Sequence, residues 1–218
     1  MNNFNWDTSF LVDFDLETGR STTAETSKRT LSQMKNMFRD VAAADKILEI
    51  EDPVIYEWHE LGCPERAGDL AFGTTILYPG KVGDEYYMTK GHFHTILETA
   101  EVYYLMDGEG YMVMENPEGD TIEMPLKKGE VVYVPRRYAH RTVNTGDKPL
   151  VTFYVFGADA GHDYGTIETK GYHKMIVREM ENRKWLTIRT GNRNGINERD
   201  CNGNGNNKAG RGGLLPVP

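Results

Sequence analysis

From Pro53 onward, apolar and polar residues alternate in short runs rich in Val, Ile, Tyr and Thr, with Gly, Pro or Asp turns about every eight to twelve residues. These runs predict strands near 53–60, 70–78, 85–94, 101–107, 110–116, 120–126, 130–134, 139–145, 150–157, 172–181 and 184–189. Many short strands with almost no helical periodicity between them predict an all-β antiparallel sandwich or barrel and argue against a parallel α/β sheet. Asp107-Gly108-Glu109-Gly110 and Pro117-Glu118-Gly119-Asp120 carry the turn chemistry that closes hairpins, so the middle of the chain is expected to be an antiparallel meander.

The flanks follow other patterns. After the polar stretch 17–27, Leu31, Met34, Met37 and Phe38 recur at helical spacing, with Thr30 or Ser32 as a cap. A second short helix is expected over 41–50, where Ala42, Ala43 and Ala44 favour it. Both helices are expected to form a lid or edge outside the core. At the other end, residues 190–213 hold seven Gly and seven Asn among 24 residues and almost no large apolar side chain. Such a segment buries too little surface to offset the entropy of ordering it, which predicts a flexible tail. The chain thus divides into an N-terminal strand and helix attachment (1–50), a strand-built domain (51–189) and a Gly/Asn-rich tail (190–218).

Composition narrows the functional classes. The 25 Lys and Arg against 33 Asp and Glu give a net charge of −8, which argues against a surface that neutralises nucleic-acid phosphates. At 39% hydrophobic and 11% aromatic residues, one full core is within reach. No apolar run approaches the roughly 20 residues that cross a bilayer, and Met1 to Asp7 lacks a basic region followed by an apolar stretch, so a soluble, unexported protein is expected. Cys63 and Cys201, far apart and in no CxxC pair, suggest neither a disulfide framework nor a cysteine zinc site, and fit a reducing cytoplasm.

Candidate chemistry centres on the six histidines. In His92-Phe93-His94, placed on a predicted strand, alternate residues share a face, so both imidazoles can reach one ion; the ordinary alternative is two polar residues on a solvated face. Glu101 opens a predicted strand and is favoured as the acidic partner, with Glu98, in the connecting turn, as an outer alternative. His140 starts a later strand, after the run that leads from Gly129 to Pro135. Three imidazoles and one carboxylate suit Fe(II), Mn(II), Ni(II), Co(II) or Zn(II) and are too nitrogen-rich for Ca(II) or Mg(II).

These two segments resemble the paired motifs of the cupin superfamily. His92, His94, Glu101 and Gly108 match the first, with a longer gap before the Glu; Gly129, Pro135, His140 and Asn144 match the second, in which Arg137 stands where a Gly is usual. The resemblance implies a cupin jelly roll, an antiparallel β-sandwich or barrel, with short N-terminal helices. A closer likeness runs from about Leu11 to Trp185 through 74–83, Thr89-Lys90-Gly91-His92-Phe93-His94, Ala100-Glu101-Val102-Tyr103, Val132-Tyr133-Val134-Pro135, 139–144 and, most specifically, 158–165. It is to the cupin-type phosphoglucose isomerases.

What that likeness implies is a metal-dependent interconversion of glucose 6-phosphate and fructose 6-phosphate. It places one divalent metal, iron(II) first, on His92, His94, Glu101 and His140, with Glu101, His140, His162 and Tyr164 as the catalytic group. Tyr56, Thr75, Thr89 and the Gly91 amide match the family's phosphate-binding positions, Lys90 adds charge, and Tyr103 matches a sugar contact. Arg137 and Phe156 each stand where relatives carry Tyr, and Arg137 is a candidate charged substitute for the lost hydroxyl. His59 and His173 have no evident partners. A homodimer is implied, with the N-terminal segment crossing to a partner subunit; neither a nucleic-acid nor a membrane partner is expected. Two other classes share the ligand set: an iron-dependent cupin dioxygenase and a non-catalytic sugar-binding cupin.

Overall fold

Strands dominate a computed structural model of the chain, which describes residues 4–177 and the backbone alone of 178 and 185–189. In chain order the elements are β1 (Glu25–Thr30), α1 (Leu31–Met34) with a 3₁₀ turn (Lys35–Met37), α2 (Val41–Leu48), β2 (Val54–Glu60), β3 (Leu70–Leu77), β4 (Lys81–Val82), β5 (Glu85–Tyr86), β6 (Glu101–Asp107), β7 (Glu109–Glu115), β8 (Thr121–Lys127), β9 (Val131–Val134), β10 (Ala139–Asn144), β11 (Leu150–Gly157), α3 (Tyr164–Lys170), β12 (Lys174–Arg178) and β13 (Trp185–Arg189). They form three antiparallel sheets, ordered β1-β2-β3-β11-β6-β9, β10-β7-β8 and β13-β12-β5-β4. This is the all-β antiparallel architecture expected, with short N-terminal helices. The Gly/Asn-rich tail lies outside the described residues.

The strand order departs from a simple meander. β6 and β7 are consecutive but sit in different sheets, so 107–110 is a crossing between sheets and not a hairpin; Gly108, at φ +86°, takes the left-handed conformation that this sharp change of direction requires. The turn at 117–120 does close the β7–β8 hairpin, where Asn116 donates its amide to the Asp120 carbonyl at 3.0 Å. The expected strand over 85–94 is reduced to β5 and three isolated bridges, Met88 to Val143, His92 to His140 and Phe93 to Asp163. Gly91, at φ +73°, breaks the regular extended run.

The N-terminal helices are part of the core, against the expectation of a lid. Leu31, Met34, Phe38 and Ala44 join Ile55, Leu77, Leu105, Met112, Leu150 and Ile176 in one apolar cluster. Burying each Leu or Met stabilises the fold by about 1.5–3 kcal/mol, so α1 is fixed to the sheets by its own side chains. Its start is held by the Thr30 amide donating to Gln33 Oε1 at 3.0 Å, and α2 by the Ala43 amide donating to Asp40 Oδ1 at 2.9 Å. Ahead of α1, β1 begins in the polar stretch 17–27 and pairs along the edge of β2, from Glu25 opposite Glu60 to Thr30 opposite Val54.

Candidate functional site

Three chain segments bring the predicted ligands together inside the sandwich. Glu101 is the first residue of β6, opposite Phe156 on β11 and Val134 on β9. His140, the second residue of β10, donates its amide to the His92 carbonyl at 3.2 Å, so that bridge fixes the two histidine segments against each other. His94, Glu101 and His140 are buried, and His92 is half-buried at the cavity wall.

The donor atoms of His92, His94, Glu101 and His140 all lie within 4.8 Å of one another. That spacing is close to two metal–ligand bonds of about 2.1 Å each. On two of the histidines the other ring nitrogen is engaged: His94 Nδ1 sits 3.2 Å from the Thr99 carbonyl oxygen and His140 Nδ1 3.4 Å from the Tyr138 carbonyl oxygen. Donation to those carbonyls makes Nδ1 the protonated nitrogen and turns an Nε2 lone pair inward. Glu101 Oε2 approaches His140 Nε2 at 2.8 Å and His94 Nε2 at 3.2 Å. Despite that proximity the orientations are not those of hydrogen bonds: the Nε2 atoms of all three histidines and Glu101 Oε2 are buried without a hydrogen-bond partner. Four convergent unsatisfied lone-pair atoms are costly in a protein interior and fit a divalent cation of the borderline class.

The electrostatics agree with a ligand group. Burial, reinforced by His140, pushes the His92 imidazole well below its ordinary range, so it is neutral. Burial alone would raise the Glu101 carboxyl; the facing His140 ring, with His94 beside it, outweighs burial and holds the carboxyl below its ordinary range. Burial and the adjacent Glu101 carboxylate drive the Tyr103 hydroxyl well up, which keeps it a donor.

A cavity of about 190 Å³ opens beside this cluster, lined by Tyr56, Trp58, Glu60, Thr75, Thr89, Gly91, His92, Glu101, Tyr103, His140, Thr142, Tyr154, Phe156, His162 and Tyr164. Every predicted site residue except His94, which lies deeper among the ligands, contributes to that wall. His162 packs edge-on to His92 with ring centroids 4.4 Å apart and stacks on Tyr164 at 5.7 Å. Packing against these rings lowers the His162 pKa through desolvation, and burial raises that of Tyr164. The Phe156 ring stacks on His94 at 5.6 Å, an apolar contact that gives this position a packing role in place of a hydroxyl.

Several expectations are corrected. Glu98 is exposed and paired with Arg136 and, at 3.8 Å, Arg137; it stands outside the ligand cluster. Arg137 does not line the cavity but reaches Glu118 at 2.6 Å, so it is no substitute for a phosphate-binding hydroxyl. Lys90 is buried and pairs with Glu168 on α3. His59 and His173 do have partners: His59 Nδ1 meets Thr26 Oγ1 at 2.9 Å, and His173 Nδ1 meets Glu115 at 2.5 Å. Trp58, Glu60, Thr142 and Tyr154 went unread as wall residues. Strand alternation was the available signal, since Trp58 and Glu60 share a face with Tyr56, Thr142 with His140, and Tyr154 with Phe156.

A family model described as glucose-6-phosphate isomerase matches residues 28–194. The chain is 48% identical to a glucose-6-phosphate isomerase of Thermococcus litoralis over 182 residues, which cover 81% of this chain and 96% of that one. A similar protein of the same description occurs in Pyrococcus furiosus, 47% identical over 182 residues with the same coverage. Another, in Sinorhizobium medicae, is 36% identical over 181 residues, 78% of this chain and 85% of that one. Among solved structures, oxalate oxidase with the substrate analogue glycolate matches at a TM-score of 0.38 and 16% identity, over 45% of this chain and 47% of that one.

Proposed function

The chain belongs to the glucose-6-phosphate isomerase family, and on that premise we propose that it interconverts glucose 6-phosphate and fructose 6-phosphate at a divalent metal held by His92, His94, Glu101 and His140. The observation that carries the metal is the set of four buried donor atoms without partners at the wall of a hydroxyl-rich cavity. Iron(II) is the ion the family likeness favours. A homodimer in the cytoplasm completes the reading; exposed Tyr104, Val131 and Tyr133 on the outer face of β6 and β9 are apolar surface that a second copy would cover.

The reaction moves a hydrogen between C1 and C2 of the open-chain sugar while the oxygens on both carbons are held. The ion, when bound, supplies Lewis acidity toward a sugar oxygen. Glu101, kept ionised by its histidine neighbours, takes the proton from one carbon and returns it to the other. His162, held neutral by desolvation, accepts the ring hydroxyl proton when the cyclic sugar opens, and Tyr164, which stays protonated, donates to the ring oxygen. Tyr103, beside Glu101 and likewise a donor, orients a sugar hydroxyl. On the cavity wall Thr75, Thr89 and the Gly91 amide offer donors to the phosphate, and the left-handed turn at Gly91 leaves its amide clear of any side chain of its own.

The test is a coupled assay of fructose 6-phosphate conversion on protein stripped with a chelator and then supplied with Fe(II), Mn(II), Ni(II), Co(II) or Zn(II) one at a time. Activity is expected to vanish on stripping and return with at least one ion. Absence of isomerisation with every ion overturns the function, and full activity in the stripped protein overturns the metal. Deuterium at the transferred position after reaction in D₂O supports a proton carried by the protein, and near-normal turnover in Glu101→Gln overturns the role of Glu101 as that carrier.

A further inference from the structure

The phosphate subsite as described consists of hydroxyls and an amide, yet the cavity wall also carries the carboxylates Glu60 and Glu101. The ion held beside Glu101 is directed at the oxygens on C1 and C2, so a phosphate of nearly two negative charges at the other end of the sugar, with Glu60 also on the wall, is favoured by a cation of its own. Lys90 is committed to Glu168, whose carboxyl it holds below the ordinary range. Arg29 is not itself a wall residue, but unlike Arg137 it stands against three that are, Tyr56, Trp58 and Tyr164. It lies opposite Tyr56 in the β1–β2 ladder, and residues directly opposite in an antiparallel pair share a face, so Arg29 projects to the side on which Tyr56 meets the cavity. The register shifts immediately after it, between Arg29 and Thr30, a bulge of the kind that re-aims a side chain.

The guanidinium stands between two cavity aromatics, with Cζ 5.6 Å from the Trp58 ring and 5.6 Å from the Tyr164 ring. Its charge pulls against the burial that raises the Tyr56 and Tyr164 hydroxyls, which places it beside both. Its Nε is buried and has no hydrogen-bond partner, and among the described residues no carboxylate forms an ion pair with it. Ring faces and neutral hydroxyls hold the planar group; its charge also reaches the Glu168 carboxyl, which it helps Lys90 keep below the ordinary range, but no ion pair at contact distance among the described residues neutralises it.

We propose that Arg29 is the cationic member of the phosphate subsite and sets the preference of this enzyme for phosphorylated over free sugars. The proposal rests on the sugar-phosphate reading above. A planar guanidinium beside the Tyr56 hydroxyl offers charged N–H donors to phosphate oxygens, a contact that a threonine-only site lacks. Because the phosphate is remote from C1 and C2, losing this contact weakens binding of ground state and transition state alike.

The experiment compares wild type with Arg29→Met, Arg29→Gln and Arg29→Lys in the holoenzyme. Calorimetry measures affinity for inorganic phosphate, for sorbitol 6-phosphate and for sorbitol; kinetics measure KM and kcat with fructose 6-phosphate. In Arg29→Met, affinity for phosphate and sorbitol 6-phosphate is expected to fall about 10- to 100-fold, with KM rising by a similar factor and kcat changing less than about 3-fold. Sorbitol binding is expected to be unchanged and Arg29→Lys intermediate. Unchanged phosphate affinity in Arg29→Met overturns the proposal. So does equal loss for sorbitol and its phosphate, which marks Arg29 as a support for Trp58 and Tyr164 only. Thermal melts identify any variant that fails to fold, in which case the same affinities in Arg29→Gln and Arg29→Lys decide the role. Wild type that binds phosphate but does not isomerise overturns the function alone, and phosphate affinity in the variants still decides the role of Arg29; wild type that binds no phosphate overturns both.

Discussion

Replacing Gly91 with Ala probes the point where backbone geometry and site geometry meet. At φ +73° the alanine adopts a left-handed conformation, a strain of about 1–2 kcal/mol. Its methyl carbon would also meet the Tyr172 hydroxyl, the His140 carbonyl oxygen at 2.8 Å and Arg141 Cβ at 3.0 Å. Of these the His140 carbonyl cannot swing aside, because it belongs to β10 and moves only with the metal-ligand candidate itself. Overpacking of this kind costs about 1–3 kcal/mol, for a sum of about 2–5 kcal/mol. At about 2–4 °C per kcal/mol for a chain of this size, Tm falls by about 4–20 °C. Gly62→Ala is the control: φ is +64° and nothing lies within 4 Å of the added carbon, so it carries the strain alone. Differential scanning calorimetry of both variants isolates the crowding, expected at about 2–12 °C beyond the control, and metal content after dialysis is expected to drop only in Gly91→Ala. A Tm for Gly91→Ala no lower than that of Gly62→Ala refutes the reasoning.

Other substitutions separate the roles assigned to neighbouring groups. Glu101→Gln is expected to lower kcat by about 10²- to 10⁴-fold, whereas Glu98→Gln, which touches only exposed arginines, is expected to leave kcat and metal content within about 2-fold of wild type; steady-state kinetics and metal analysis on the pair check this, and the reverse pattern would exchange the two carboxylates. Thr75→Val removes one donor at the phosphate wall with little change in shape, so KM for fructose 6-phosphate is expected to rise about 10-fold with kcat nearly unchanged. Asp163 caps α3 by accepting from the Thr166 hydroxyl at 2.7 Å and the Thr166 amide at 3.2 Å, and these bonds hold its carboxyl below the ordinary range. Its folded-state pKa is depressed, so its contribution is fully present above the unfolded value of about 3.9 and is lost as pH falls through the lower folded value. Asp163→Ala is therefore expected to cost about 1 kcal/mol near pH 7 and less as the pH is taken below about 4, read from melts of both proteins across that range; a gap that widens in acid contradicts the assignment.

How much of this was legible in the sequence depends on what the signal rests on. The strands that carry Glu101 and His140 are regular and bounded by clear turn residues, so alternation located them within a residue or so. A strand is expected in 1–50, but β1 could not be located within it because an edge strand with mostly solvated residues has no apolar period to read. α3 was missed because its seven residues include Gly165, Thr166 and Thr169, poor helix formers, and of the seven only Ile167 is buried. The N-terminal helices were found from the spacing of Leu31, Met34 and Phe38, but spacing identifies a face and not the surface it packs against, so their place in the core was not.

The same distinction explains why the ligand set was easier to read than the cavity around it. His92, His94, Glu101 and His140 are chemically marked residue types, and their convergence follows from the bridge between His92 and His140 and from the register that sets Glu101 beside Phe156. Arg137 shows the limit of matching by residue type alone. It holds φ +72°, the one non-glycine residue at positive φ among the described residues, at the motif position where a glycine is usual. The backbone requirement of that turn survives the substitution, and the left-handed strain is offset by ion pairs to Glu118 and Glu98. A departure that looked like altered phosphate recognition is therefore a departure in how one turn is held. The cation proposed for the phosphate wall lies on β1, an edge strand whose lack of apolar pattern concealed its bounds and the direction of Arg29.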